Sequence, residues 1–585
     1  MNNPRSAPGI KSEHPLLRLD LQRWRQRLAL TLLFAGFAAL SARAVYLQAW
    51  DSEFLTEEGD KRMQRVIPIP AYRGIISDRR GEPLAVSTPV ASLWANPREL
   101  EITPEQIQAL ASILDKNPDQ LARLLTDKRK AFVYVERLVE PHKAQQAKAL
   151  NIEGLHAKPE YRRYYPAGEV TAHMLGVTNI EDQGQEGLEL AYQTWLTGDP
   201  GAERVIKDRR GTAVEILEQV KAPKPGRDLV LSLNQHIQYL AYSALSDAMQ
   251  THSASAGSAI VLDARTGEVL ALANTPSFNP NSRSTFTAAR LRNRGVTDSF
   301  EPGSTMKPLL VAAALDAGVI KRDTVIDTGP GWMQIGDKRV TDVHAKGVLS
   351  VAESLQVSSN IAVAKIALEM RGEDYWNLLN RAGVGSLPKS GMPGEARGRL
   401  RPYESWRPIE KATMAYGHGI SVSLLQLAHA YTAFANDGVM PQLTTLRREG
   451  RAIGTRVMSA NAAQEVLEMM ELVTQNGGTA PQARVVGYRV AGKTGTAHKL
   501  IGGTYSPDRY ISSFVGLAPV SDPRLVIAVM IDEPSGKVYY GGLVAAPVFS
   551  RIMAGALRFM AIPPDAPFDQ YSAPPGAAPV VPEAV

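Results

Sequence analysis

Cysteine is absent from the 585 residues of this chain, which excludes a disulfide framework and any chemistry that depends on a thiol. Aromatic residues are scarce, at 6% of the chain, and no basic stripe interleaves with them, so nothing indicates nucleic-acid binding. The 10 histidines lack the spacing of metal ligands, and neither a metal nor a cofactor is expected. One long apolar run stands out, near the N-terminus.

Residues 28–50 form this apolar run, which is long enough to cross a bilayer with Arg43 extending toward the far interface. The net charge of the chain is +6, and residues 1–27 hold six basic and two acidic side chains. The positive-inside rule therefore places residues 1–27 in the cytoplasm and the rest of the chain outside it. A cleaved signal peptide is the alternative, because residues 42–44 (ARA) resemble a cleavage site. The long basic segment and the arginine at that site favour an uncleaved anchor.

A serine and a lysine lie three positions apart in the sequence STMK at residues 304–307. The residues that follow are apolar and favour a helix, and Pro308 is compatible only with its first turn. Ser304 is therefore expected near a helix N-terminus, with Lys307 on the same face. A desolvated lysine can take the proton of a serine, which then becomes a nucleophile. A simple helix cap is the other interpretation of this serine. The same pattern at residues 386–389 (SLPK) is predicted to be a loop, because a proline interrupts it.

Two further motifs follow in the chain. Residues 358–360 (SSN) separate two apolar runs, which predicts a turn between two buried helices. Residues 493–496 (KTGT) follow a short predicted strand over 488–492, and the glycines there would let a substrate backbone approach closely. Each motif is weak by itself, since S-x-N recurs elsewhere in the chain, and the order of the motifs carries the information.

The segment after about residue 228 has the pattern of an α/β domain. Strands at both ends of this segment and helices between them predict one antiparallel sheet, with Ser304 on a central buried helix. The predicted elements are a helix over about 234–250, a β-hairpin over 258–263 and 268–272, strands over 512–518 and 525–531, and a helix over about 545–559.

The three motifs, in the order S-x-x-K, S-x-N and K-T-G, resemble the signature of penicillin-binding proteins and class A β-lactamases. Residues 292–304, 416–428 and 540–549 are similar to segments of the division-type class B penicillin-binding proteins of Gram-negative bacteria. The resemblance extends from the apolar run to about residue 560. It implies an α/β (α+β) transpeptidase domain of the penicillin-binding and serine β-lactamase type, with an antiparallel sheet.

The same resemblance implies that an elongated non-catalytic pedestal and one N-terminal transmembrane helix precede this domain. The expected boundaries are a cytoplasmic tail (1–27), a transmembrane anchor (28–50), the pedestal (51–222), the transpeptidase domain (223–562) and a disordered tail rich in proline and alanine (563–585).

The family resemblance implies a serine D,D-transpeptidase that cross-links peptidoglycan stem peptides in septal wall synthesis and is acylated by β-lactams at Ser304. Lys307 would be the base, and Ser358 would relay a proton to the leaving nitrogen. Asn360 would hold a stem amide, and Lys493 would add positive charge. Backbone N–H groups of Ser304 and Thr496 would form the oxyanion hole. The other substrate-binding candidates are Thr494, Gly495, Tyr416, His418, His498, Tyr539 and Tyr540.

The aromatic and histidine candidates have a second interpretation. Tyr505 and Tyr510, like the tyrosines at 539 and 540, are predicted either to line the pocket or to be ordinary strand and loop aromatics. His418 stands where relatives carry an aromatic residue, and His498 where some carry arginine. These differences are either neutral or functional, and in the second case acylation would vary with pH where histidine titrates.

Three other functions remain open. A β-lactamase needs a base that hydrolyses the acyl-enzyme, and Glu373 with Asn377 has a suitable spacing. These residues follow Asn360 too closely to match that family's loop, and a solvated helix face is the alternative. A D-Ala-D-Ala carboxypeptidase would use water in place of an amine. A non-enzymatic scaffold is disfavoured by the intact motifs.

The pedestal segment is rich in arginine, for example at Arg73, at residues 162–168 (RRYYPAG) and at residues 208–211 (DRRG). This pattern predicts a network of buried arginine–carboxylate pairs, with a sugar- or phosphate-binding site as the alternative. By resemblance, the partners would be stem peptides as D-Ala-D-Ala donor and amine acceptor, the inner membrane, a polytopic SEDS-type glycosyltransferase and other division proteins. The catalytic domain would lie in the periplasm.

Overall fold

The computed structural model describes residues 23–49, 64–207, 213–535 and 538–567. Most of the predicted cytoplasmic tail, most of the tail after residue 563 and the DRRG segment lie outside the described residues. The chain divides into two compact units, one formed by Met1–Ile69 with Gly201–Ala222 and the other by Pro70–Pro200 with Pro223–Val585.

The strands are numbered in chain order. They are β1 (Gln64–Ile69), β2 (Ile76–Ser77), β3 (Pro83–Ala95), β4 (Val133–Val139), β5 (Leu155–Tyr164), β6 (Gly201–Lys207), β7 (Ala213–Lys221), β8 (Leu229–Val230), β9 (Ala256–Asp263), β10 (Val269–Thr275), β11 (Val325–Asp327), β12 (Trp332–Ile335), β13 (Lys338–Thr341), β14 (Val348–Ser350), β15 (Val439–Pro441), β16 (Gly454–Arg456), β17 (Ala491–Ile501), β18 (Thr504–Ala518) and β19 (Leu525–Asp532).

The α-helices are numbered in the same way. They are α1 (Arg23–Ala49), α2 (Pro104–Ile113), α3 (Pro118–Thr126), α4 (Pro141–Ala149), α5 (Ala172–Leu175), α6 (Gly187–Ala191), α7 (Gln193–Leu196), α8 (Gln235–Thr251), α9 (Ala288–Leu291), α10 (Arg294–Thr297), α11 (Lys307–Asp316), α12 (Val351–Gln356), α13 (Asn360–Glu369), α14 (Gly372–Arg381), α15 (Pro408–Ala415), α16 (Leu424–Tyr431), α17 (Ala460–Glu471), α18 (Gly541–Val544) and α19 (Ala546–Phe559).

The first unit contains α1 and a three-stranded antiparallel sheet in the order β1-β6-β7. Helix α1 spans 27 residues, is long and apolar enough to cross a membrane, and buries none of its side chains within the protein. Residues 28–49 of the predicted apolar span therefore lie in one continuous helix, which begins slightly earlier than expected, at Arg23.

The catalytic part of the second unit is built on a five-stranded antiparallel sheet in the order β10-β9-β19-β18-β17. Side chains alternate between its faces. Ala259 and Val261 of β9 share a core with α8 and α19, whereas Ile260 and Leu262 share a core with α11 and α16. The predicted antiparallel sheet is confirmed, and the structure places helices on both of its faces.

A second sheet, in the order β4-β3-β2-β8 with β5 also paired to β3, belongs to the same unit. Helices α2, α3 and α4 cover one of its faces with an apolar core. Beside it, Glu189 accepts hydrogen bonds from Arg73 and Arg163 at 2.6 Å each, and all three side chains are at most 1% exposed. The predicted network of buried arginine–carboxylate pairs is confirmed for these residues.

Two local predictions can be compared with the structure. The strand expected over 488–492 begins only at Ala491, because Tyr488 belongs to a tight turn with Val485, and it continues to Ile501 as half of a long hairpin. The SLPK segment at 386–389 lies in a loop, as predicted, and Lys389 there has a φ of +58°.

Candidate active site

Ser304 lies in a 3₁₀ turn, Gly303–Met306, that leads directly into α11. The serine is expected near a helix N-terminus, and this is confirmed, although the α-helix itself begins at Lys307 and Pro308 occupies its first turn. Gly303 has a φ of +58°, and a Cβ there would lie 3.7 Å from the carbonyl oxygen of Thr496. The turn therefore packs against β17, and Ser304 is only 4% exposed.

Lys307 is completely buried, and its ammonium group contacts the second motif. Nζ donates hydrogen bonds to Ser358 Oγ at 3.1 Å and to the Ser358 carbonyl oxygen at 2.5 Å. The first two motifs, 51 residues apart in sequence, thus meet through their functional atoms.

The turn that carries Ser358 lies between α12 and α13, as predicted. Ser358 has a φ of +61°, a left-handed conformation that costs a residue with a Cβ about 1–2 kcal/mol. Asn360 donates from Nδ2 to the Thr341 carbonyl at 3.3 Å, while its buried Oδ1 has no partner among the described residues. This oxygen is an acceptor that a substrate amide N–H would satisfy.

The third motif lies on β17, which pairs with β18 along the hairpin. Lys493 is completely buried, and its Nζ donates to Thr494 Oγ1 at 3.1 Å. Thr496 accepts a hydrogen bond from the backbone N–H of Gly541 at 3.0 Å, so the loop before α18 is fixed to this strand. A Cβ on Gly495 would lie 2.9 Å from the Pro302 carbonyl oxygen, so glycine allows β17 to approach the serine turn.

The aromatic candidates form two groups. Tyr416 contacts His418 edge-on at 5.2 Å between ring centroids, and His418 lies 5.9 Å from Tyr505. The second group is a continuous row in which successive ring centroids are 4.7, 4.0 and 4.6 Å apart. Its members are His498, Tyr510, Tyr539 and Tyr540.

His418 also interacts electrostatically with Lys307. Burial lowers the pKa of His418 below its ordinary value, and the charges of Lys307 and His498 act in the same direction, while Glu301 opposes them. Burial also raises the pKa of Tyr416 to about 12. The neutral form of His418 is therefore favoured, and the ring lies within electrostatic range of Lys307.

Sequence reasoning missed two positioning carboxylates. Asp342 accepts hydrogen bonds from Ser359 Oγ at 2.5 Å and from the backbone N–H of Asn360 at 2.6 Å. Glu301 accepts from the backbone N–H of Gly419 at 2.8 Å and from the Tyr505 hydroxyl at 2.8 Å. No local pattern marks Asp342, since the motif that it holds lies 17 residues further along the chain.

The spacing of Glu373 and Asn377 made Glu373 a candidate for the base of a β-lactamase. Glu373 is exposed at the start of α14, so the predicted alternative of a solvated helix face fits this residue. The site contains a buried serine, a buried lysine bonded to a second serine, and a strand that carries another buried lysine. This combination is typical of a serine acyl-transfer enzyme on an α/β scaffold.

Comparison with known proteins identifies the family. Residues 257–554 match the family model of the penicillin-binding protein transpeptidase domain, and residues 68–231 match that of the penicillin-binding protein dimerisation domain. The chain therefore belongs to the class B penicillin-binding proteins, and it is a penicillin-binding transpeptidase. The expected boundaries at residues 222 and 562 stay predictions.

Several relatives are similar over nearly their whole length. The "Probable peptidoglycan D,D-transpeptidase PbpC" of Pseudomonas aeruginosa is 43% identical over 93% of this chain and 96% of its own. The "Peptidoglycan D,D-transpeptidase FtsI" of Escherichia coli is 40% identical over 93% of each chain. The transpeptidase domain of penicillin-binding protein 3 from Burkholderia pseudomallei is 45% identical, with a TM-score of 0.54, and the match covers 58% of this chain and 98% of that one.

Proposed function

We propose that this protein is a serine D,D-transpeptidase that cross-links peptidoglycan stem peptides during septal wall synthesis and is a target of β-lactams. The observation that carries this proposal is the contact between buried Lys307 and Ser358 beside the turn that bears Ser304. The names of the relatives, which describe peptidoglycan D,D-transpeptidases, support the substrate and the reaction.

In the first half-reaction, Ser304 Oγ attacks the carbonyl carbon of the penultimate D-Ala of a donor stem. Burial favours the neutral form of an amine, and neutral Lys307 accepts the hydroxyl proton. The C–N bond to the terminal D-Ala breaks, and the leaving nitrogen receives the proton from Lys307 through the hydroxyl of Ser358. The product is an ester of Ser304 and free D-Ala.

The strand β17 supplies the electrostatic part of the site. The backbone N–H groups of Ser304 and Thr496 would stabilise the oxyanion, and one such donor typically contributes about 3–4 kcal/mol. Lys493 and the two threonines of its motif would attract the terminal carboxylate. Asn360 would hold a stem amide through its unpartnered Oδ1.

In the second half-reaction, an amine of a neighbouring stem attacks the ester carbon. Lys307 removes a proton from that amine, the C–O bond breaks, and Ser304 Oγ regains its proton by the reverse of the first relay. An amide cross-link forms, and the enzyme returns to its starting state. The aromatic groups and the two histidines would border the channel through which the amine arrives.

We place the protein in the inner membrane, anchored by α1, with the catalytic domain in the periplasm. The continuous apolar helix and the basic residues at its start support this orientation. A polytopic SEDS-type glycosyltransferase that supplies glycan strands, together with other division proteins, would be the partners of the anchor and the pedestal.

The test is the intact mass of the detergent-solubilised chain after incubation with a penicillin, beside the Ser304→Ala variant. A single stable adduct on the parent that is absent from the variant is expected. An unmodified parent with intact drug would mean a scaffold, and an unmodified parent with hydrolysed drug would mean a β-lactamase.

The acceptor separates a transpeptidase from a carboxypeptidase. Incubation with a D-Ala-D-Ala stem peptide and an excess of an amine acceptor should give the cross-linked amide as the main product. Free tetrapeptide as the main product, unchanged by the amine, would favour the carboxypeptidase.

A further inference from the structure

A cleft of about 520 Å³ lies in the second unit, away from the serine site. It lies between two loops and the sheet that contains β3, β4 and β5. Its walls come from β4, from the end of β5, and from residues 178–182 and 280–283. Five basic and three acidic side chains line it, and three of the basic ones are ion-paired with carboxylates outside the lining. The basic residues are Arg137, Lys143, Arg162, Arg163 and Arg283.

Two of these arginines have no carboxylate partner among the described residues. Arg162 donates to the Asn281 carbonyl at 3.4 Å, and Arg283 donates to the Thr178 carbonyl at 3.1 Å. Arg163, which is 5% exposed, keeps a buried Nη2 without any partner in the described part of the chain. Guanidinium groups that bond only to backbone carbonyls are available to bind a carboxylate bidentately.

A row of aromatic rings adjoins this cleft on the outer face of the same sheet. Trp94 of β3 lies 4.4 Å from the His156 ring and 5.3 Å from the Phe132 ring, which contacts Tyr134 at 4.9 Å. Phe132 is 50% exposed and Tyr134 is 38% exposed. We call these four residues the aromatic platform.

The platform lies opposite the face that α2, α3 and α4 cover. Leu93 and Ala95, the neighbours of Trp94, belong to the core under these helices, and successive strand residues point to opposite faces. Arg137 joins the platform to the cleft, because it lines the cleft while its guanidinium carbon lies 5.0 Å from the Tyr134 ring centroid.

We propose that the platform and the cleft form a second binding site for a carboxylate-bearing glycan, with sugar rings on the aromatic side chains and carboxylates on Arg162 and Arg283. Flat aromatic faces suit the apolar faces of sugar rings, and the two arginines without a carboxylate partner favour a ligand that carries carboxylates. Under the proposed function this polymer is peptidoglycan itself, whose glycan strand bears peptide stems with free carboxylates.

Such a site would hold the glycan strand while its stems reach the serine site, so it would raise the local concentration of substrate without taking part in the chemistry. The buried pairs of Glu189 with Arg73 and Arg163 would take no part in this binding and stabilise the fold instead.

The test measures the binding of soluble glycan fragments to the detergent-solubilised full chain by calorimetry. Every protein carries Ser304→Ala, so that capture at the serine site does not contribute. One probe is a glycan oligomer with its peptide stems, and the other is a chitin oligomer of the same length, which has the sugar rings but no carboxylate.

The double variant Arg162→Gln with Arg283→Gln should bind the stem-bearing probe at least about tenfold more weakly, since a hydrogen bond between charged groups is worth about a decade in affinity or more. It should bind the chitin oligomer as the parent does. Tyr134→Ala should weaken both probes severalfold. The matched controls are Arg407→Gln and Trp332→Ala, which change exposed residues elsewhere in the unit.

Equal affinities of the parent and the double variant for the stem-bearing probe would overturn the proposal. Absence of glycan binding by the parent would also overturn it and would favour a protein partner for this surface. The penicillin adduct is measured in parallel on chains with Ser304 intact. Failure of the adduct refutes the proposed function, whereas absence of glycan binding by the parent, together with a normal adduct, refutes only the second site.

Discussion

Replacement of Asp342 by alanine is expected to slow the acylation of Ser304, although the hydrogen bonds of Asp342 go to the neighbouring turn. Its carboxylate accepts from Ser359 Oγ at 2.5 Å and from the backbone N–H groups of Asn360 and Ile361 at 2.6 and 3.1 Å. These bonds hold the turn that also carries Ser358, and Ser358 contacts Lys307.

The size of the effect follows from these bonds. A hydrogen bond to a charged group contributes about 1.5–3 kcal/mol, and a buried N–H left without a partner costs about 1–3 kcal/mol. Since Asn360 is only 6% exposed, Asp342→Ala should destabilise the turn by about 3–5 kcal/mol. A misplacement of about 1 Å in an active site lowers the rate about 100-fold. Asp342→Ala should therefore acylate about 100-fold more slowly, and Asp342→Asn, which keeps one acceptor oxygen, about tenfold more slowly.

The measurement is the second-order rate of acylation by a fluorescent penicillin, followed in real time. The matched control is Asp337→Ala, because Asp337 lies in the same β12–β13 hairpin with its side chain 86% exposed. If Asp342→Ala reacts as fast as this control and melts at the same temperature, the positioning role of the carboxylate is refuted.

Three further predictions concern charge and burial. Glu189→Gln leaves two buried guanidinium groups without their carboxylate, so the denaturation midpoint should fall by the equivalent of about 3–5 kcal/mol, whereas Glu181→Gln, at an exposed carboxylate, should leave it unchanged. Burial lowers the pKa of His429 to about 4, and its Nε2 donates to the Pro441 carbonyl at 2.6 Å. Between pH 6.5 and 4 the unfolded chain therefore binds more protons than the folded chain. As the pH falls through this window, the free energy of unfolding should decrease by about 3 kcal/mol because of this residue. His429→Gln, which keeps a donor, should melt with a weaker pH dependence, and an unchanged dependence would contradict this. Glu301→Gln removes a charge that raises the pKa of His418, so an NMR titration of that ring should give a lower value, and an equal or higher value would contradict the assignment.

Local signals in the sequence predicted the elements of the fold well. Two short, continuous apolar runs on either side of a turn predicted the β9–β10 hairpin, and the run of apolar residues after Lys307 predicted α11. The beginning of β17 was misplaced because Tyr488 to Val490 have strand-like side chains, but Tyr488 closes a tight turn through its backbone bond to Val485 and the strand begins only at Ala491. The β-strand propensity of a segment depends on its side chains, whereas this boundary depends on which backbone group Tyr488 bonds to.

The functional atoms were predicted from the order of the motifs, but the groups that hold them were not. Asp342 and Glu301 act through contacts that span 17 and 204 residues, respectively. The cleft beside the aromatic platform combines residues from β4 and from a loop of the catalytic part, at positions 137 and 283. Such convergence depends on the register of strands and on loop paths, which no local pattern records.

The placement of carboxylates explains why this site favours transfer to an amine over hydrolysis. Glu301 is the acidic residue nearest to Ser304 in the sequence, and both of its oxygens already accept hydrogen bonds, from Gly419 and Tyr505. A carboxylate that fixes two loops is poorly suited to activate water, and Glu373 is exposed on α14. In the proposed mechanism Lys307 is then the base, and an amine acceptor would use the same proton path as the serine. An acyl-enzyme formed by a β-lactam blocks the approach of that amine, so it should persist rather than turn over.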